Sequence, residues 1–240
     1  MFKTLAKAVA VATLAICTPA HASTLIFTGN GGSGSDGNSY TFSDGTTSVR
    51  VSGWSVTANG DLEDGALGQW SSGLGVTNSA TDNSHTIDNS GWLDFILLQF
   101  DQDVMLDLVG FQTGFHGMND TDAMIGVASS VMPWNVGPGW DGSDLSALGD
   151  FSFFHSGSVG LSGSNVRGVN AGGLAGNLWI IGASGSNLDS FADGFKINGI
   201  TVTAVGAVPE PTTWALLILG FGAIGGAMRR RSPLARPAFA

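Results

Sequence analysis

The chain has 240 residues and carries nine Lys+Arg against nineteen Asp+Glu, a net charge of −10. Between residues 23 and 208 only Arg50, Arg167 and Lys196 stand against eighteen of those acids, so this segment alone has a net charge of −15. That balance excludes a nucleic-acid partner, whose phosphates need a basic surface, and the single cysteine, Cys17, excludes a disulfide framework.

Residues 1–22 have the parts of a secretory signal peptide in the right order. Lys3 and Lys7 give a positive start, Ala8–Ile16 is an apolar run broken only by Thr13, and Ala20-His21-Ala22 is an A-x-A cleavage signal. Signal peptidase is the partner this predicts, with Ala20 and Ala22 as the small residues before the cut and Ser23 as the first mature residue. A buried N-terminal helix is the competing reading. Ile16 before Cys17 argues against lipidation of that cysteine. The thiol therefore leaves with the signal, and the mature protein depends on packing and hydrogen bonds, with a bound metal ion as the further candidate.

Residues 23–205 predict one all-β domain, a single jelly-roll-like β-sandwich. Thirty-three of the thirty-seven glycines precede the C-terminal apolar run, and with Ser, Asn, Asp and Thr they punctuate short apolar segments. The expected strands are Thr24–Phe27, Ser39–Phe42, Ser48–Thr57, Leu93–Phe100, Val104–Thr113, Met124–Ala128, Leu178–Gly182 and Gly194–Val205. Ser48–Thr57 alternates but changes phase near Gly53, which predicts a bulge. Leu93–Phe100 is apolar on both faces and belongs in the middle of a sheet covered on both sides. The glycine-rich loop Gly29–Gly37 lacks the Lys-Ser/Thr ending of a phosphate loop and precedes no helix.

The candidate site residues follow from oxygen and ring chemistry. Asp88 and Asn89 precede the Leu93–Phe100 strand, and Asp94 shares parity with Ile96, Leu98 and Phe100, which aims a carboxylate at an apolar layer. A buried carboxylate needs a partner. A structural Ca²⁺ site at Asp88, Asn89 and Asp94 competes with an Asx-turn at 88–89 and a hydrogen-bonded Asp94. Asp120-Thr121-Asp122 and Asp141-Gly142-Ser143-Asp144 do not continue into a twelve-residue calcium loop and read as solvated turns. Trp134 and Trp140, in a Pro- and Gly-rich loop, are candidates for glycan binding; core packing is the alternative. No G-x-S-x-G elbow and no H-E-x-x-H pattern occurs, so the expectation is that the protein is not an enzyme.

Residues 206–231 form a second address label. Pro209-Glu210-Pro211 leads into Trp214–Met228, fifteen residues without a charge, then Arg229-Arg230-Arg231. The expected transmembrane helix is 212–228, short against the roughly 20 residues of a full span. Its arginines would stay in the cytoplasm with the tail 232–240, which places 23–205 across the membrane.

Pro209-Glu210-Pro211, Trp214-Ala215, the glycine-bearing helix and the three arginines together resemble the PEP-CTERM sorting signal, in the Trp-Ala form of some Gram-negative bacteria. The resemblance implies an exosortase partner that recognises the Pro-Glu-Pro region and removes the helix. The protein then reaches the cell surface or the extracellular matrix, the membrane being a transient anchor. The stretch from Asp61-Leu62-Glu63-Asp64 through Gly91-Trp92-Leu93-Asp94, with Trp179–Ala183 and Asp193–Ile197, resembles the exosortase-dependent surface protein family. That likeness implies surface placement and no reaction. The expected role is structural or adhesive, in the envelope or a biofilm matrix. A carbohydrate-binding module for exopolysaccharide is the alternative, and an unrecognised hydrolase the third.

Overall fold

A computed structural model describes residues 22–78, 84–157, 164–185, 191–205 and 211–229. One compact unit ends at Val205, and the helix in residues 211–229 belongs to a second unit. In the first unit the all-β expectation holds.

Twelve strands fall in chain order: β1 (Ala22–Ile26), β2 (Ser39–Ser43), β3 (Ser48–Val56), β4 (Leu62–Trp70), β5 (Gly73–Thr77), β6 (Ile87–Asp88), β7 (Leu93–Gln112), β8 (Ala123–Ala128), β9 (Ser152–Ser156), β10 (Asn165–Gly168), β11 (Gly176–Ala183) and β12 (Gly194–Ala204). Described pairings are antiparallel between strands throughout. The expected strands Leu93–Phe100 and Val104–Thr113 are one twenty-residue strand, β7. Its first half pairs with β3 and β11, and its second half with β12 and β10.

β7 therefore passes from one sheet layer to the other. The pairing β7–β3–β4–β5–β12–β7 closes a ring, with β11, β8 and β9 extending from β7 as a wing. Beside the expected jelly-roll-like sandwich, this is a continuous sheet that closes on itself. Closure leaves fewer open edges than a two-sheet sandwich would.

The interior of the ring holds the main core, including Phe27, Val51, Leu67, Ile96, Leu98, Phe100, Phe111, Trp179 and Phe195, each at most 1 % exposed. A second cluster, Trp54, Leu62, Phe95, Leu97, Leu148 and Ile180, lies on the other face of β3 and β7. The segment 129–151 covers it. Trp140 packs on Trp54 with ring centroids 5.6 Å apart and on Phe151 at 6.1 Å. Gly142 N–H donates to Leu62 O (2.8 Å) and Leu62 N–H to Ser143 O (2.6 Å). Asp144 caps the 3₁₀ turn Leu145–Leu148 by accepting from Ser146 N–H at 2.8 Å. Two covered faces explain why Leu93–Phe100 is apolar on both sides.

The phase change at Gly53 is not a bulge. β3 stays in register with β7 from Val49 to Val56, and at Gly53 its other neighbour changes from β2 to β4. Val49 and Val51 face the ring interior while Trp54 and Val56 face the second cluster, so the apolar set switches sides without an inserted residue.

β4, β5, β6, β9 and β10 were not expected. In β4 and β5 the reason is glycine. A Cβ at Gly65 would lie 2.6 Å from Val76 Cγ1, one at Gly68 1.9 Å from the Trp70 ring, and one at Gly75 2.1 Å from His85 O. Close approach demands glycine there, and glycine erases the alternation that marks a strand.

In the other unit, the helix α1 spans Pro211–Arg229. No helix among the described residues is long and apolar enough to cross a membrane. The span expected over 212–228 is thus unsupported. Fifteen apolar residues rise about 22 Å at 1.5 Å each, short of a hydrocarbon core of about 30 Å.

Candidate functional sites: the sorting tail and the buried polar clusters

Of the sorting residues, Pro211 opens α1, where its missing N–H is no loss. Trp214 and Arg229 lie in the same helix. Pro209, Glu210, Arg230, Arg231 and the tail 232–240 lie outside the described residues. The described side chains of α1 are apolar and exposed on every side: Leu216, Leu217, Ile218, Leu219, Phe221 and Ile224. A helix of that kind has no face to hide against a soluble core.

At the other end, the signal segment through His21, with Ala20, lies outside the described residues. Ala22 and Ser23 begin β1, opposite Thr203 and Val202 of β12. The residue expected to begin the mature chain therefore pairs with β12. Ser23 is buried, and its hydroxyl meets Thr47 Oγ1 at 3.1 Å.

The three residues expected to ligate calcium enter separate hydrogen-bond sets. Asp88 is buried; its Oδ2 accepts from Ser84 Oγ (2.6 Å) and Thr86 Oγ1 (2.7 Å), and its Oδ1 from Ser90 N–H (2.9 Å). Asp94 is buried opposite Ser55, whose hydroxyl donates to Oδ1 at 2.5 Å, with the Asn78 amide at 3.3 Å. Asn89 reaches elsewhere. Its Nδ2 donates to Asp193 Oδ2 (2.7 Å) and Ser184 O (3.0 Å), and its Oδ1 accepts from Asp193 N–H (3.1 Å).

Asn89 thereby points to a denser cluster. Carboxylate oxygens of Asp120, Asp122 and Asp193 all lie within 4.8 Å of one another. Asp120 and Asp193 are buried, so Asp120-Thr121-Asp122 is not the solvated turn its sequence suggested. A β-bridge joins Asp120 to Asp193, and Gly194 N–H donates to Asp120 O at 3.1 Å.

Arg167 of β10 supplies the positive charge. Nη1 donates to Thr121 Oγ1 (2.8 Å), Nη2 to Thr121 O and to Ser156 O (2.9 Å), and Nε to Ser156 Oγ (3.2 Å). The guanidinium carbon lies 3.9 Å from the Phe111 ring centroid. Burial pushes the Arg167 pKa down, and the Asp122 and Asp120 carboxylates push it back up. Sequence reading missed Asp193 and Arg167 because seventy-one residues separate Asp193 from Asp122; only the topology brings them together.

Arg50 and Lys196 are held by an amide and by aromatic rings. Arg50 Nη1 donates to Gln99 Oε1 at 2.7 Å, and Gln99 Nε2 donates to Val136 O at 2.9 Å. Lys196 is buried with Nζ 3.4 Å from the Trp70 ring centroid and 4.9 Å from that of Phe115. Trp134 is half-buried, and so is Trp140, whose ring packs on the second cluster.

The family model for the PEP-CTERM protein-sorting motif matches residues 207–231. No curated protein matches the chain, and no solved structure matches it. The chain thus joins an all-β unit to a PEP-CTERM protein-sorting motif, and that motif implies exosortase-dependent export and sorting to the cell surface or exterior.

Proposed function

We propose that this protein is an exosortase-processed surface or matrix protein whose β domain has a structural or adhesive role and catalyses no reaction. The observation that carries the reading is the sorting motif at 207–231, placed directly after a compact β unit that ends at Val205. The resemblance of residues 61–94, 179–183 and 193–197 to exosortase-dependent surface proteins supports it. On this reading α1 is a short, temporary membrane handle: apolar all round, shorter than a comfortable span, and removed after recognition of Pro209-Glu210-Pro211.

Intact-mass analysis of the surface-released protein tests this. The expected species starts at Ser23 and ends near Pro209–Pro211. A released species that retains Trp214–Arg231 would sink exosortase processing.

Calcium is a second reading, favoured by the convergence of Asp120, Asp122 and Asp193 beside Asn89. Hard oxygen donors at this density suit Ca²⁺, while Arg167 already supplies one charge. Anything that binds only the folded state raises its stability by mass action. The released protein should therefore melt several degrees higher in CaCl₂ than in EDTA. Identical melting temperatures would remove calcium from the account. Glycan binding at Trp134 remains a third reading, with Trp140 anchoring that loop on Trp54; a glycan array with Trp134→Ala tests it.

A further inference from the structure

The bond that signal peptidase is expected to cut, Ala22–Ser23, lies inside a strand. Ala22 stands opposite Thr203 and Ser23 opposite Val202, the first two pairs of the β1–β12 ladder. The ladder runs on to Ile26 opposite Gly199, and Phe27 N–H donates to Asn198 O at 2.9 Å. Ser23, Leu25 and Phe27 point inward and are 1 %, 2 % and 0 % exposed. Phe27 packs on Phe42 with ring centroids 4.6 Å apart.

The turn between β2 and β3 covers Ser23. Thr47, itself fully buried, meets the Ser23 hydroxyl at 3.1 Å. That turn is pinned twice. Asp44 Oδ1 accepts from Thr46 N–H and Thr47 N–H, each at 2.9 Å. Gln102 Nε2 donates to Thr46 O and to Thr47 Oγ1, each at 3.2 Å. The residue just after the expected cut therefore belongs to the folded ladder and not to a free terminus.

We propose that closure of β1 on β12 is a latch on signal-peptide removal: the Ala22–Ser23 bond is cut while β1 is undocked, and docking protects any bond still uncut. The proposal rests on the signal-peptide part of the export reading and not on the fate of the tail. A protease must take both sides of the scissile bond into its active site, and it reaches a folded chain through the transiently opened form. Opening here means lifting β1, which uncovers Leu25 and Phe27. Burial of two such side chains holds the open form to roughly one molecule in 10²–10⁴, and cutting slows by the same factor.

Topology supplies the time for the cut. Ser23 and Val202 are 179 residues apart, and β12 is the last strand of the unit. A chain that crosses a membrane N-terminus first presents the cleavage site long before β12 arrives. Until then β1 has no ladder to join. Cutting and docking compete only at the end of export.

The test incubates full-length precursor, folded in detergent, with purified signal peptidase. Its comparison is a precursor with Ser-Gly-Ser-Gly inserted between Ala22 and Ser23. The insertion keeps A-x-A followed by serine but moves the cut off the ladder. Peptides covering each junction report the enzyme's own preference. Both peptides should be cut after Ala22 at similar rates, and the spacer precursor should be cut like its peptide. The folded wild-type precursor should be cut at least about 100-fold more slowly. Leu25→Asp, which undocks β1 from within, should restore fast cutting, and circular dichroism shows whether the rest of the unit stays folded. If that variant unfolds, the spacer comparison decides alone. A wild-type precursor cut within about threefold of the spacer precursor overturns the proposal. So does slow cutting that persists in a folded Leu25→Asp precursor. If neither peptide is cut after Ala22, the signal-peptide reading falls and the latch with it, while the reading of the tail stands.

Discussion

Replacing Arg167 by glutamine should lower the unfolding free energy by about 3–5 kcal/mol, the range seen when one partner of a buried charged group is removed. The magnitude follows from what would be left behind. Asp120, Asp122 and Asp193 keep their oxygens within 4.8 Å of one another, two of the three buried, and Arg167 is the cation that faces them. Glutamine also gives up most of the donors now spent on Thr121 and Ser156, and the cation over the Phe111 ring. Urea unfolding of the released protein measures the loss. At about 2–4 °C per kcal/mol for a domain of this size, the melting point should fall by roughly 6–20 °C.

Two controls separate electrostatics from packing. Arg167→Lys keeps the charge but not the planar fork that bonds Thr121 and Ser156 together, so it should recover only part of the loss. Lowering the pH should narrow the gap between Arg167→Gln and wild type, because protonated carboxyls no longer need a cation. A deficit below about 1 kcal/mol, or one that widens as the pH falls, would mean that the carboxylates are held by other means.

What the sequence made legible and what it hid divide along a physical line. Strands with alternating or two-faced apolar patterns, such as Ser48–Val56 and the first half of β7, are visible because burial writes itself into residue type. β4 and β5 are hidden because Gly65, Gly68 and Gly75 are there for close backbone approach, a requirement of the neighbours and not of the strand. The sorting tail is legible because its recognition is linear: Pro209-Glu210-Pro211, a helix and arginines act in order along the chain. The acid cluster is illegible because Asp193 and Arg167 reach it through β12 and β10. Local reading assigned Asn89 to Asp88 and Asp94, whereas the fold commits its amide to Asp193 across 104 residues.

Lys196 offers the cleanest pH signature, because it is the only lysine between residues 23 and 208. Among the described residues no hydrogen bond or ion pair holds its ammonium; the rings of Trp70 and Phe115 do. Burial pushes its pKa down to about 8, against about 10.4 for an unfolded lysine. Between those values the unfolded chain binds more protons than the folded one, so stability must rise with pH. The penalty for burying the charge is complete below about pH 8 and gone above about pH 10.4. The full shift corresponds to about 3 kcal/mol. The ring faces attract the charged form by up to about 2 kcal/mol, and that attraction is lost on deprotonation. The expected gain from pH 7.5 to 10 is thus about 1–3 kcal/mol. Lys196→Met keeps the apolar stem and removes the titration, so its stability should exceed wild type by a similar amount at pH 7 and the difference should vanish near pH 10. Parallel stability profiles for the two proteins would show that the ammonium is hydrated and that the aromatic contacts do not bury it.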